Sequence, residues 1–120
     1  MKPINIVKLD SQRLNYDGDA MIRKINMLVK EKKAAMLQYG NSLLLLIKLP
    51  DNNAELHLFT ADNAKDLTLA LQDFIAKIQK SKLNYVYGSG AVPKILKLLN
   101  SYGIKTEKSD NPKYKWMAKV

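Results

Sequence analysis

The stretch Ser42–Leu49 is almost wholly apolar, and turn formers close it on both sides: Gly40-Asn41 before it and Pro50-Asp51-Asn52-Asn53 after it. Its longest apolar run, Leu43 to Ile47, is far short of the roughly 20 residues that cross a bilayer. A short run with no polar alternation reads as a strand covered on both faces, because a half-wet strand would show polar residues at every second position. The chain therefore has to supply layers above and below one sheet. The neighbours fit: Ala34–Tyr39 leads into the first turn, and Glu55–Phe59 leaves the second, which predicts an antiparallel meander.

The covering layers are legible as helical stripes. Met21, Ile22, Ile25, Leu28 and Val29 recur at helical spacing after the turn-rich Asn15–Asp19, with Arg23, Lys24, Lys30 and Lys32 opposite them. Leu67, Ala70, Leu71, Phe74, Ile75 and Ile78 form a second stripe, for which Asp62 is the expected cap and Asp66 an acidic first-turn residue. A third helix starts at Pro93, turns Val92, Ile95, Leu96, Leu99 and Tyr102 inward, and stops at Gly103. Strands are expected at Ile4–Leu9, with one irregularity in its alternation, and at Leu83–Tyr87. Two more flank the turn Ser109-Asp110-Asn111-Pro112, the second with Tyr114, Trp116, Ala118 and Val120 on its buried side. The order is β-α-β-β-β-α-β-α-β-β. It predicts an α+β domain spanning residues 1–120, built on a central mixed sheet.

Composition removes several chemistries. The 120 residues include no cysteine and one histidine, so thiolate nucleophiles, disulfides and zinc–thiolate sites are excluded. The amino end has no apolar h-region, so a signal peptide is not expected. The formal charge is +9, and all the basic residues except Arg13 and Arg23 are lysine. Lysine is a mobile point charge without arginine's bidentate fork, so the excess fits a solvated surface with weak, salt-sensitive attraction to nucleic acid or acidic partners.

This element order, above all from Glu55 to Val120, resembles the GNAT fold of acetyl-CoA-dependent N-acetyltransferases. It is most similar to the small GNAT-like proteins of tailed phages: a strand ending in Phe59-Thr60, the strand Asn84-Tyr85-Val86-Tyr87, the helix Lys94–Leu99, then Gly103 and a terminal strand pair. The resemblance implies a place in the virion or the cytoplasm of an infected cell, with virion proteins as partners and no membrane.

In enzymes of this fold a glycine-bearing loop between strand and helix brings backbone N–H groups to the pyrophosphate of coenzyme A. The matching Thr60-Ala61-Asp62-Asn63-Ala64-Lys65 has no glycine, and Asp62 brings a carboxylate. Thr60, Ala61, Asn63 and Ser89 are what is left as candidate cofactor contacts, so the expectation is no cofactor, with acetyl-CoA disfavoured. Such enzymes also often carry a tyrosine as general acid four residues before the helix-ending glycine; here that position is Leu99.

Other candidates come from the residues themselves. Tyr85 and Tyr87 alternate along a strand next to the gap that this fold leaves between two strands, where they could line a cleft. Lys94, Lys97, Lys113, Lys115 and Lys119 are the candidates for a nucleic-acid or partner surface. Glu55 and His57 share a strand face, but an exposed histidine on a wet face is the simpler reading and no catalytic role is given to it. The leading expectation is a GNAT-like protein that is not an enzyme and acts through protein contacts. The alternatives are a divergent acyl-CoA-dependent N-acyltransferase and a basic nucleic-acid-associated factor.

Overall fold

The amino-terminal segment is a helix, α1 (Pro3–Leu14), where a strand over Ile4–Leu9 was expected. Pro3 sits at the first helical positions, where its fixed φ and missing N–H cost nothing. The buried stripe is Ile6, Val7, Asp10 and Ser11, while Ile4 and Leu9 are 44% and 43% exposed. The helix ends at Asn15, in the left-handed region with φ 58°, whose N–H returns to the Ser11 carbonyl. Helix α2 (Gly18–Lys30) follows, capped by Asp17, which accepts from the Ala20 N–H at 3.0 Å.

The computed structural model describes the backbone of residues 1–90 and 93–120 and the side chains outside 91–95. After the two helices come β1 (Ala34–Tyr39), β2 (Ser42–Leu49), β3 (Asn53–Thr60), α3 (Ala64–Gln79), β4 (Tyr85–Gly88), α4 (Pro93–Ser101), β5 (Thr106–Lys108) and β6 (Trp116–Lys119), with a single 3-10 turn at Pro50–Asn52. The sheet order is β1-β2-β3-β4-β6-β5; β3 and β4 run parallel and every other neighbour pair is antiparallel. The expected mixed sheet is present, and its first predicted strand is replaced by α1. Among the described residues no helix is long and apolar enough to cross a membrane.

Strand β2 explains the apolar run. Leu43 and Leu45 enter one core with Ile6, Val7 and Ile25 of α1–α2 and Phe59 of β3. Leu44 enters the other, with Phe74, Ile75 and Ile78 of α3, Leu99 of α4, and Val86, Trp116 and Ala118. One strand thus serves two cores, each fully buried leucine stabilising by about 1.5–3 kcal/mol.

Two end-details refine the sequence reading. Helix α3 is capped by Asn63, which accepts the Asp66 N–H at 2.8 Å; Asp62 is not the cap. Helix α4 closes with Ile104 N–H on the Leu99 carbonyl (3.0 Å) and Gly103 N–H on the Asn100 carbonyl (3.0 Å), with Gly103 at φ 80°. That is a Schellman close, and its αL position favours glycine. Tyr102, expected to face inward, lies past the helix end and is 41% exposed. Val92 and the side chains of Ile95 and Lys94 lie outside the described residues.

Candidate functional site

Strands β3 and β4 are paired at Ala54–Val86 and Glu55–Tyr87, although β3 continues to Thr60. Beyond Glu55, the ladder partner of β3 is β2, through the register that ends at Ser42–Thr60. The parallel ladder therefore stops at Glu55, and His57 lies two residues past its last rung. Helices α1 and α2 cover the β2–β3 side of this face. The β4–β6 side carries polar and aromatic groups in their place.

Glu55 is the centre of that cluster. It is 7% exposed, and its carboxylate accepts from the Tyr114 hydroxyl and from His57 Nε2, with Lys113 Nζ at 3.7 Å. Burial alone would raise its pKa. The hydrogen bonds from Tyr114 and His57, with the electrostatic influence of His57 and Lys113, outweigh this and hold the carboxyl below its ordinary range. Burial, and then the bond to Glu55, push the Tyr114 hydroxyl up to about 12. Its ring lies 5.2 Å from that of Tyr87 at 39°, and the Lys113 ammonium stands 5.6 Å from its centroid. Tyr87 donates to Asp110 at 3.4 Å and is raised by burial first, then by that carboxylate. His57 keeps 30% of its side chain exposed, so the cluster is a buried carboxylate holding an accessible imidazole. That arrangement can accept a proton from a bound group.

The structure brings Tyr85, Tyr87 and Lys119 together, with Asp51, Asn53, Asn84 and Asp110, around a shallow cleft of 390 Å³ at the amino ends of β3 and β4. The other candidate lysines are dispersed. Lys113 is beside Glu55, Lys115 is exposed two residues further on, and Lys97 lines a separate groove between α3 and α4 with Thr68, Leu71, Leu98 and Ser101. Lys97 and Lys119 stand on opposite sides of the sheet, so these cations do not form one surface.

The β3–α3 turn is closed by its own bonds. The Thr60 N–H donates to the buried Asp10 carboxylate (3.1 Å), the Ala61 N–H to the Asn41 carbonyl (2.9 Å), and the Asp62 N–H to Thr60 Oγ1 (3.0 Å). Asp62, expected over the helix end, instead accepts from the Asn41 N–H (3.1 Å) and the Ser42 hydroxyl (2.6 Å), tying the turn to the β1–β2 hairpin. Asn63 is occupied as the α3 cap. Ser89 is exposed after β4, and Leu99 is 5% exposed in the core.

The sequence shows the Glu55–His57 pair and offers Lys113 only as a surface cation; it does not show that Tyr114 and Lys113 reach Glu55 from the other end of the chain, or that Asp110 meets Tyr87. Sequence reasoning also missed Asp10, whose carboxylate accepts from Arg13 (2.9 Å), Tyr16 (2.6 Å) and Thr60. Burial and this bond push the Tyr16 hydroxyl well above its ordinary value. An acidic residue on the apolar stripe of α1 was the available signal.

No family model matches the chain, and no curated protein matches it significantly. Two solved structures do. One is a chimera of the Vibrio cholerae spermidine N-acetyltransferase SpeG with hSSAT, at TM-score 0.58 and 13% identity over 99% of this chain and 90% of that one. The other is a single-substitution variant of the same Vibrio cholerae enzyme, at TM-score 0.52 and 18% identity over 85% of this chain and 72% of that one. At such identities the likeness establishes the fold alone, and that fold is GNAT-like.

Proposed function

We propose that this GNAT-fold chain acts through protein contacts, in a virion or its assembly as its resemblance to tailed-phage proteins implies, and not as an acetyl-CoA-dependent acyltransferase. The supporting observation is the β3–α3 turn. The N–H groups of Thr60, Ala61 and Asp62 are all engaged within the protein, and Asp62 clamps the turn to Asn41 and Ser42. A pyrophosphate needs such donors free and the backbone bare. Leu99, at the position where an acid for the leaving thiolate is expected, has nothing to donate. Calorimetric titration with acetyl-CoA gives no saturable heat on this reading, and the chain co-sediments with assembled particles. Tight, saturable binding of acetyl-CoA overturns it.

A second reading, group transfer beside the end of the β3–β4 ladder, is favoured by one observation: the buried Glu55 carboxylate orients a partly exposed His57 just past the last paired rung. A histidine so held can take a proton from an attacking amine. Spermidine, the substrate in the names of the solved neighbours, is the first acceptor to try. Thioester turnover that falls by about 100-fold in His57→Ala supports this reading; absence of turnover in the wild type removes it.

A further inference from the structure

The sheet has two edges, and they are defended unequally. Strand β5 is a three-residue edge with the exposed charges Glu107 and Lys108. Short, charged edges resist pairing with another chain. Strand β1 is twice as long, reads Ala-Ala-Met-Leu-Gln-Tyr, and contains no charge and no proline.

Its free hydrogen-bonding groups can be named. The Lys48 N–H donates to the Lys33 carbonyl at 2.8 Å. In the β1–β2 register this makes Ala35–Leu46, Leu37–Leu44 and Tyr39–Ser42 the hydrogen-bonded pairs. The N–H and C=O groups of Ala34, Met36 and Gln38 therefore point away from β2. Among the described residues these groups find no partner.

We infer that β1 pairs with β1 of a second copy of this chain, antiparallel about a twofold axis at Met36, joining two sheets into one. The strand is self-complementary in that register. Met36 meets Met36 and Ala34 meets Gln38, which forms about six inter-strand hydrogen bonds from the groups that point outward. In the intervening close pairs, Ala35 meets Leu37. Lys33, which is paired to Glu31 at 3.0 Å, meets Tyr39, a ring that is 43% exposed. A cation over an aromatic face is attractive, and no like charges stand opposite one another. The inference rests on strand geometry and is independent of whether the chain binds a thioester.

Sedimentation of the intact protein over a wide concentration range tests it. The expected result is a reversible dimer that tightens as salt rises, because each copy carries a formal +9. Gln38→Pro removes an outward N–H and no bond to β2, and raises the dissociation constant about tenfold or more. Ala35→Lys places a charge on an exposed edge position and does the same by a different route, so misfolding of one variant does not decide the matter. Since the chain has no cysteine, Met36→Cys reports the register directly by forming a disulfide-linked dimer under oxidation, whereas Ala35→Cys does not. A wild type that stays monomeric at hundreds of micromolar overturns self-pairing and leaves the edge to a strand of another protein. A dimer that survives both edge variants overturns the choice of strand.

Discussion

The Tyr114 hydroxyl donates to the buried carboxylate of Glu55 across 59 residues of sequence, joining the last strand region to the third strand at the end of its ladder with β4. Glu55 also holds His57, so this one bond decides whether the carboxylate is fully partnered. Removing it should be felt in both stability and ionisation.

Tyr114→Phe keeps the ring packed against Tyr87 but deletes the donor. A buried carboxylate left short of a hydrogen bond destabilises by roughly 1–3 kcal/mol. Urea unfolding should show a lower midpoint at unchanged slope. A midpoint within experimental error of the wild type would mean that the bond contributes nothing net.

The same bond contributes, with His57 and Lys113, to the pH response. The folded Glu55 pKa lies below its unfolded value, so its contribution is complete above the ordinary carboxylate range and is lost as pH falls through the folded value. Glu55→Gln should therefore flatten the acid limb of the stability–pH curve. Tyr114 has the opposite sign: its folded pKa, about 12, is raised from 10.0. Its contribution is present below the unfolded value and is lost as pH climbs through about 12. Ultraviolet titration should show several late phenolates, since Tyr16 and Tyr87 are raised as well, and Tyr114→Phe should remove one of them.

Asp62 and Asn63 separate two roles that the sequence merged. Asn63→Ala removes the α3 cap and should cost about 1 kcal/mol, read as fraying of the first turn by hydrogen exchange. Asp62→Ala should leave that turn protected and loosen the β1–β2 hairpin, since the Asn41 N–H and the Ser42 hydroxyl lose their acceptor. The reverse pattern would restore Asp62 as the cap.

Gly88→Ala should be among the most damaging small changes in the chain. A Cβ at Gly88 would lie 2.3 Å from the Trp116 ring, whose Nε1–H is held by the Gly90 carbonyl at 2.9 Å. Overpacking of a buried site costs about 1–3 kcal/mol or more, since neither the ring nor the strand backbone can retreat. Thermal melting should show a drop of several degrees, while Gly90→Ala, with open space around it, should melt near the wild type.

Much of the architecture was local enough to read. The apolar Ser42–Leu49, the stripes of α2 and α3, the αL stop at Gly103 and the alternation of the last strand each follow from side-chain period or turn chemistry within a few residues. The first element was not readable in this way. Ile4, Ile6, Val7 and Leu9 suit either period, and the buried stripe that decides for a helix includes Ser11, whose hydroxyl turns back onto the Lys8 carbonyl, and Asp10, which has a distant partner. Asp10 is buried because Thr60, 50 residues away, donates to it.

The candidate site follows the same division. Sequence by itself determined the residue types on each strand: Glu55 and His57 on one face, tyrosines at alternate positions of β4, and a turn before α3 without glycine. Only the tertiary structure decided that Tyr114 and Lys113 meet Glu55, that Asp62 clamps a hairpin and does not cap a helix, and that β1 is left as an uncharged open edge. The physical reason is that periodicity fixes which way a side chain faces, whereas the partner it meets is set by strand order and register, which bring together residues far apart in the chain.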